Sequence, residues 1–256
     1  MITELDGSFH LVAGGAGYST VGDQITGENT VQRIDPATGE ATEIDDNPDG
    51  TDVKPNVSAI AAGPGGILHV VDAGGNTVYR VDPEMGDFEL ELTLPTLDGL
   101  LGGEETGTPT VDAAKPPRQL VPTGIASDAD GQMTLSFLSQ GWPAEGPSIV
   151  TVNDDGTMTP VANCLSAVVS IGYGPDGELY VVQLSGDFAT FAPGAVVRIG
   201  AAGTAEPVVE VMLAPHGIAF SESGHVSVGT VALPLGPGMT GGVVGREGIA
   251  ASVSHR

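Results

Sequence analysis

A unit of about 47 residues recurs along this 256-residue chain and limits what it can fold into. Four segments carry it: Val57–Gly66, Pro122–Gly131, Val168–Gly177 and Pro215–Gly224. Each is a short apolar run that ends in a Gly- or Asp-Gly-containing turn. An alternating run follows each one: Ile67–Val71, Met133–Phe137, Leu179–Val182 and Val226–Val228. Two such runs joined by Asp-Gly or Gly-Gly form the signature of a hairpin. A second series, Val31–Pro36, Val78–Pro83, Ile149–Asp154 and Val196–Gly200, marks another hairpin in each unit. Ile60, Ile125, Ile171 and Ile218 lie 65, 46 and 47 residues apart. Arg33, Arg80, Thr151 and Arg198 lie 47, 71 and 47 apart. Four short strands in a repeat of this length predict the blade of a β-propeller.

The sequence predicts an all-β chain of four-stranded antiparallel blades, about four to five of them, in a single domain over 1–256. The units run 5–46, 57–95, 122–163, 168–212 and 215–246, with a long insert at 95–121. Leu5–Val12 matches Pro175–Val182, so the first blade is expected to lack its first strand. No clear fourth strand follows Gly245, so the last unit is also expected to be incomplete. Either five blades close with an improvised seam, or the chain is a fragment of a larger ring. The ragged ends favour the fragment, while exposed strand edges and their aggregation hazard argue for closure.

Composition excludes several classes of function. The chain has 33 acidic and 8 basic residues, a formal charge of −25. Charged residues are only 16% of the total, so the imbalance reflects missing bases. Lys54 and Lys115 are the only lysines. Such a surface repels phosphate backbones and anionic lipid, so neither nucleic acid nor membrane is expected as a partner. A hydrophobic content of 40% argues for folding despite 39 glycines and 19 prolines. Cys164 is the only cysteine, so no intrachain disulfide framework exists. Residues 1–7 carry no basic n-region and no apolar h-region, so no signal peptide is read here.

The strands of a blade can be labelled A to D from the inside out. Antiparallel reversal puts A–B and C–D turns on one face and B–C and D–A connections on the other. The first set is tight. The second includes long stretches at 14–29, 45–56, 95–121, 139–148, 184–194 and 231–241. Long loops gathered on one side of a rigid scaffold commonly carry binding or catalysis. Trp142, Phe188, Phe191 and Met239 fall in these loops. Trp142, Phe188 and Phe191 are the candidates for a surface that binds a protein or small molecule. The same hydrophobes can equally pack the loops onto the blade tops. At the channel mouth the aligned residues are Ser58, Thr123, Val169 and His216. Ser58, Thr123 and His216 are candidates there, with His216 suited to general-base or metal-ligand duty. A polar residue bonded to channel water is the alternative reading.

Residues 45–52 follow the D-x-N-x-D-G pattern of a calcium loop, with Asp45, Asn47 and Asp49 as ligands and Gly50 at the sharp turn. The twelfth position is Asn56 where a bidentate Glu is expected, and Asp/Asn/Gly clusters also form ordinary turns. Calcium is therefore the one cofactor suggested. No nucleophile elbow, P-loop, dinucleotide fingerprint or H-E-x-x-H motif is present.

In Asn47–Gly50, Asp72–Asn76 leading into Val78–Asp82, Val121–Ala126, Gly174–Val182 and Pro193–Ile199, in that order, the chain resembles the ScyD/ScyE family of secreted NHL-like β-propellers. The likeness runs from about Leu5 to Ile218. It implies an exported, roughly six-bladed propeller with no defined reaction. Family members begin with a signal peptide and further N-terminal blades, which supports truncation here, and the stretch from Leu233 onward departs from the family pattern. Two functions follow: an extracellular binding or scaffold module, or a metal-dependent hydrolase or lyase of the lactonase type at the channel mouth. The second needs several ligands converging on one cation.

Overall fold

The computed structural model describes residues 2–5, 8–13, 30–34, 38, 41–45, 57–100, 119–138, 146–187, 190, 192–221, 223–230 and 242–246. They build nineteen strands in five sheets. The first sheet holds β1 (Ile2–Leu5), β2 (Ser8–Ala13), β3 (Thr30–Ile34) and β4 (Ala41–Asp45). The second holds β5 (Val57–Gly63), β6 (Ile67–Asp72), β7 (Thr77–Asp82) and β8 (Asp87–Thr93). The third holds β9 (Pro122–Ser127), β10 (Met133–Phe137), β11 (Pro147–Val152) and β12 (Met158–Asn163). The fourth holds β13 (Val168–Tyr173), β14 (Leu179–Gln183), β15 (Gly194–Ile199) and β16 (Ala205–Met212). The fifth has three strands among the described residues: β17 (His216–Phe220), β18 (Val226–Thr230) and β19 (Gly242–Arg246). Within each sheet the strands pair in chain order, the meander of a propeller blade. One helical turn, α1 (Leu97–Leu100), interrupts the insert after β8.

The expected gap in the first blade is corrected here. Ile2–Leu5 pairs antiparallel with Ser8–Leu11, so the sheet has all four strands. Four residues with apolar side chains only at their ends give too short an alternation to register as a strand from sequence.

The chain divides into two compact units, Met1–Ile125 and Ala126–Arg256. In the first, β1 and β2 pack against β5. In the second, β13 packs on β10, and β17 packs on β13 and β14. Adjacent sheets bury alternate side chains against one another. Ile149, Val168, Val181 and Val197 form one such layer, joined by Ala162 and Leu179. Val182, Val196, Val226 and Val228 form the next, with Tyr180 and Met212. Each fully buried Val or Leu stabilises its unit by roughly 1.5–3 kcal/mol, so these layers dominate any turn contribution.

Tyr180 is fully buried, yet its hydroxyl donates to Asp176 Oδ2 at 2.8 Å. Burial, and then that hydrogen bond, hold its phenol well above the ordinary tyrosine range. The ring also lies 5.0 Å from Phe220, across the seam between the fourth and fifth sheets.

The tight turns are closed by aspartates. Asp82 Oδ1 accepts the Glu84 and Met85 N–H groups, and Asp128 Oδ1 accepts those of Asp130 and Gln132. Asp155 accepts both the N–H and the hydroxyl of Thr157, which lowers its pKa. These Asx turns let the chain reverse without strain.

The β15–β16 connection gives a test of two neighbours. Ala202 is exposed at φ 60°, ψ 24°, a left-handed geometry that costs an L-residue about 1–2 kcal/mol. Gly203, at φ +72°, would drive a Cβ into the Val161 carbonyl of β12. Ala202→Gly is expected to raise stability by about 0.5 kcal/mol after the entropy cost of glycine is deducted. Gly203→Ala is expected to lower it by about 2 kcal/mol or more. Urea midpoints of the two variants, moving in opposite directions, check the assignment.

Candidate functional site

The inner strands begin with a β-bulge that decides which residues share a position. In β5, Val57 pairs with Asp72 and Ala59 with Val71, leaving Ser58 as the extra residue. In β13, Val168 pairs with Gln183 and Ser170 with Val182, so Val169 bulges. In β17, His216 pairs with Gly229 and Ile218 with Val228, so the bulge falls on Gly217, at φ +72°. His216, opposite Gly229, therefore occupies the column held by Ala59, opposite Val71, and Ser170, opposite Val182. That column holds a buried alanine in β5, a buried serine in β13 and an exposed histidine in β17.

The candidates at the strand starts differ in what their side chains do. The Ser58 hydroxyl donates to the Pro122 carbonyl at 3.0 Å and lies 3.4 Å from that of Val71. It ties β5 to the start of β9 in the first unit. Thr123 is half-buried in β9. His216 belongs to the second unit, where desolvation pushes its imidazole below the ordinary histidine value. A neutral ring near pH 7 follows.

Leu184–Pro193, the connection from β14 to β15, is built around one buried hydroxyl. Ser185 is 2% exposed. Its Oγ lies 2.8 Å from the Asp187 carbonyl and 2.7 Å from that of Ala192, and it accepts the Asp187 N–H at 3.3 Å. Gly186 N–H bonds to Pro193 O, and Ala192 N–H to Asp187 O, closing the neck of the loop. The root is anchored as well: Leu184 N–H donates to Ala167 O, and Gln183 Nε2 donates to Ser166 O. These bonds hold the two ends of the loop together.

The loop ends against the strand that carries His216. Gly194 has no room for a side chain, because a Cβ would meet the Gln183 carbonyl and lie 2.6 Å from both Leu184 O and Pro215 Cδ. The structure thus brings His216 and the loop that bears Phe188 and Phe191 into one neighbourhood. Phe188, Phe191 and Trp142 themselves lie outside the described residues, as do Asn47 and Asp49 of the calcium pattern. Asp45 closes β4, and its backbone alone is described. Among the described residues no three His, Cys, Asp or Glu side chains group as metal ligands. Among them, too, no helix is long and apolar enough to cross a membrane.

Ser185 and Gly194 were not readable as site residues from sequence. A serine after a strand and a glycine before the next are ordinary turn composition, and only the closed neck gives them a role.

No protein-family model matches this chain, and no curated protein matches it by sequence. Among solved structures, the chain is similar to a streptogramin B lyase, at 17% identity and a TM-score of 0.52, over 96% of this chain and 67% of that one. It is similar to TolB from Acinetobacter baumannii at 12% identity and a TM-score of 0.57, over 94% of this chain and 50% of TolB. A chain of a nidogen/laminin complex aligns at 14% identity and a TM-score of 0.56, over 95% of this chain and 79% of that one. All three are β-propellers. The fold is a β-propeller. At these identities the likeness carries the fold alone.

Ser185→Ala would leave the Ala192 carbonyl and the Asp187 N–H without their Ser185 partner at the loop neck, an expected local loss of about 1–3 kcal/mol. Hydrogen exchange at the Gly186 and Ala192 amides is expected to accelerate by tenfold or more, with β14 and β15 unchanged. Equal protection in the variant would mean that Ser185 does not brace the loop.

Proposed function

We propose that this chain is a ScyD/ScyE-like extracellular propeller that acts as a binding or scaffold module through its long-loop face. The observation that carries the reading is the braced loop at Leu184–Pro193, which ends against Pro215 beside His216. A serine-locked neck lowers the entropy cost of presenting Phe188 and Phe191 to a partner. The acidic balance of the chain favours partners that are neutral or cationic. Resemblance to propellers that include a chain of a nidogen/laminin complex is consistent with protein binding.

The test is quantitative recovery of a partner from the extracellular fraction of the source organism, using the immobilised chain. Phe188→Ala with Phe191→Ala is expected to reduce recovery of a defined partner at least tenfold. Asp154→Ala with Asp155→Ala, on the tight β11–β12 turn, is expected to leave it unchanged. Equal recovery by both double variants would remove the loop face from the reading.

A second reading, metal-dependent hydrolase or lyase chemistry at the channel mouth, is favoured by one observation. His216 is exposed, and its lowered pKa keeps a neutral nitrogen available near pH 7 to take a proton or hold a cation. A folded-state pKa below the unfolded value means that this contribution to stability is present above about pH 6.5 and lost as the pH falls through the folded value. Proton NMR titration should place the His216 midpoint below 6.5, and added Mg2+ or Ca2+ should lower it further if the ring is a ligand. A midpoint at or above 6.5 that no divalent cation moves would overturn this second reading.

A further inference from the structure

The outermost strand of the second sheet differs from its counterparts in the second unit. β12 and β16 each carry a proline, Pro160 and Pro207, which removes a backbone donor from the edge. β8, Asp87–Thr93, is seven residues long and has none. Among the described residues no strand pairs with its outer edge. A long, proline-free edge is a ready template for another strand unless its side chains prevent pairing.

The side chains of β8 are sorted by face. Phe88 pairs with Val81 and Leu90 with Tyr79, extending the apolar layer of Leu68, Val70, Tyr79 and Val81 outward. Phe88 stays half-buried and meets Tyr79 edge to face at 6.4 Å, but Leu90 remains 54% exposed. Asp87 and Glu89 stand on the opposite face, and both are exposed. The bulge at Glu91 brings its carboxylate to His69 Nδ1 at 2.7 Å, so that acid is already committed. Arg80 lies 3.8 Å from Glu89 in a solvent-exposed pair that contributes little stability and can give way to another cation. Asp82 and Glu84 add negative charge at the adjoining turn.

This arrangement selects by charge. A second copy of the chain pairing edge to edge would set Asp87 and Glu89 against their own kind, and like charges directly opposite are destabilising. A strand with Lys or Arg on alternate positions and apolar residues between them would meet acids on one face and Leu90 on the other. We propose that the β8 edge is a docking site for an extended cationic peptide, bound by strand addition with basic residues over Asp87 and Glu89 and apolar residues over Phe88 and Leu90. The surface is separate from the long-loop face and does not depend on it.

The probe is a synthetic eight-residue peptide of alternating Lys and Val, blocked at both ends, titrated into the full chain by fluorescence anisotropy. Two N-methylated versions, methylated on alternate residues in opposite phases, separate backbone pairing from simple charge attraction. The expected result is binding by the parent peptide, retained in one phase and weakened at least tenfold in the other. Asp87→Lys with Glu89→Lys should weaken the parent at least tenfold, and Asp154→Lys with Asp155→Lys should change it less than threefold. Both pairs are exposed, so circular dichroism of the variants is expected to match the parent chain. Equal effects of the two methylation phases, or of the two charge reversals, would overturn the proposal. So would failure of the peptide to bind, or dimerisation of the peptide-free chain through β8.

Discussion

A single four-stranded meander cannot bury its faces, and the need for a neighbour governs the rest of this chain. Val57, Leu68, Val70 and Val81 are essentially without solvent contact because another sheet lies against theirs. Close stacking restricts what the backbone can carry at the crossing points. Gly203 lies against the Val161 carbonyl, where a Cβ has no room. The links between sheets also accept left-handed residues at Val121, Ala167 and Ala214, just ahead of β9, β13 and β17. Packing worth several kcal/mol per blade holds that local strain in place.

The same architecture explains much of the charge. Hairpin turns demand residues that bond their own backbone, and this chain uses aspartate at Asp82, Asp128, Asp155 and Asp176. Acids placed for geometry accumulate on the tight-turn side with few bases to offset them, since the whole chain has eight. A field of this sign discourages polyanions and self-association at the acidic edges. It leaves cationic and neutral surfaces as permitted partners.

The hairpins were legible because Asp-Gly and Gly-Gly turns sit between alternating runs, as at Asp176-Gly177 between β13 and β14. Those signals carried the fold class. The inner-strand bulge was not legible. Sequence alignment put His216 under Ser58 and Val169, because Ile60, Ile171 and Ile218 match so well. The extra residue in β17 is Gly217, a shift of one that only hydrogen-bond register reveals. β1 escaped notice for lack of length. The connection at Ala73–Asn76 shows the reverse case: a B–C link as tight as any hairpin, in which Asn76 at φ 57° donates to Leu94 O at 3.0 Å.

The one-residue shift bears on function. In the column that Ala59 and Ser170 hold in β5 and β13 the side chain is buried. His216 stands in that column with its imidazole exposed, and the preceding Pro215 abuts Gly194 at the end of the braced loop. A position that is buried in β5 and β13 carries in β17 a titratable, partly desolvated group. A titratable group at that position, close to a loop whose neck is closed by a buried serine, sets the start of β17 apart from the starts of β5 and β13.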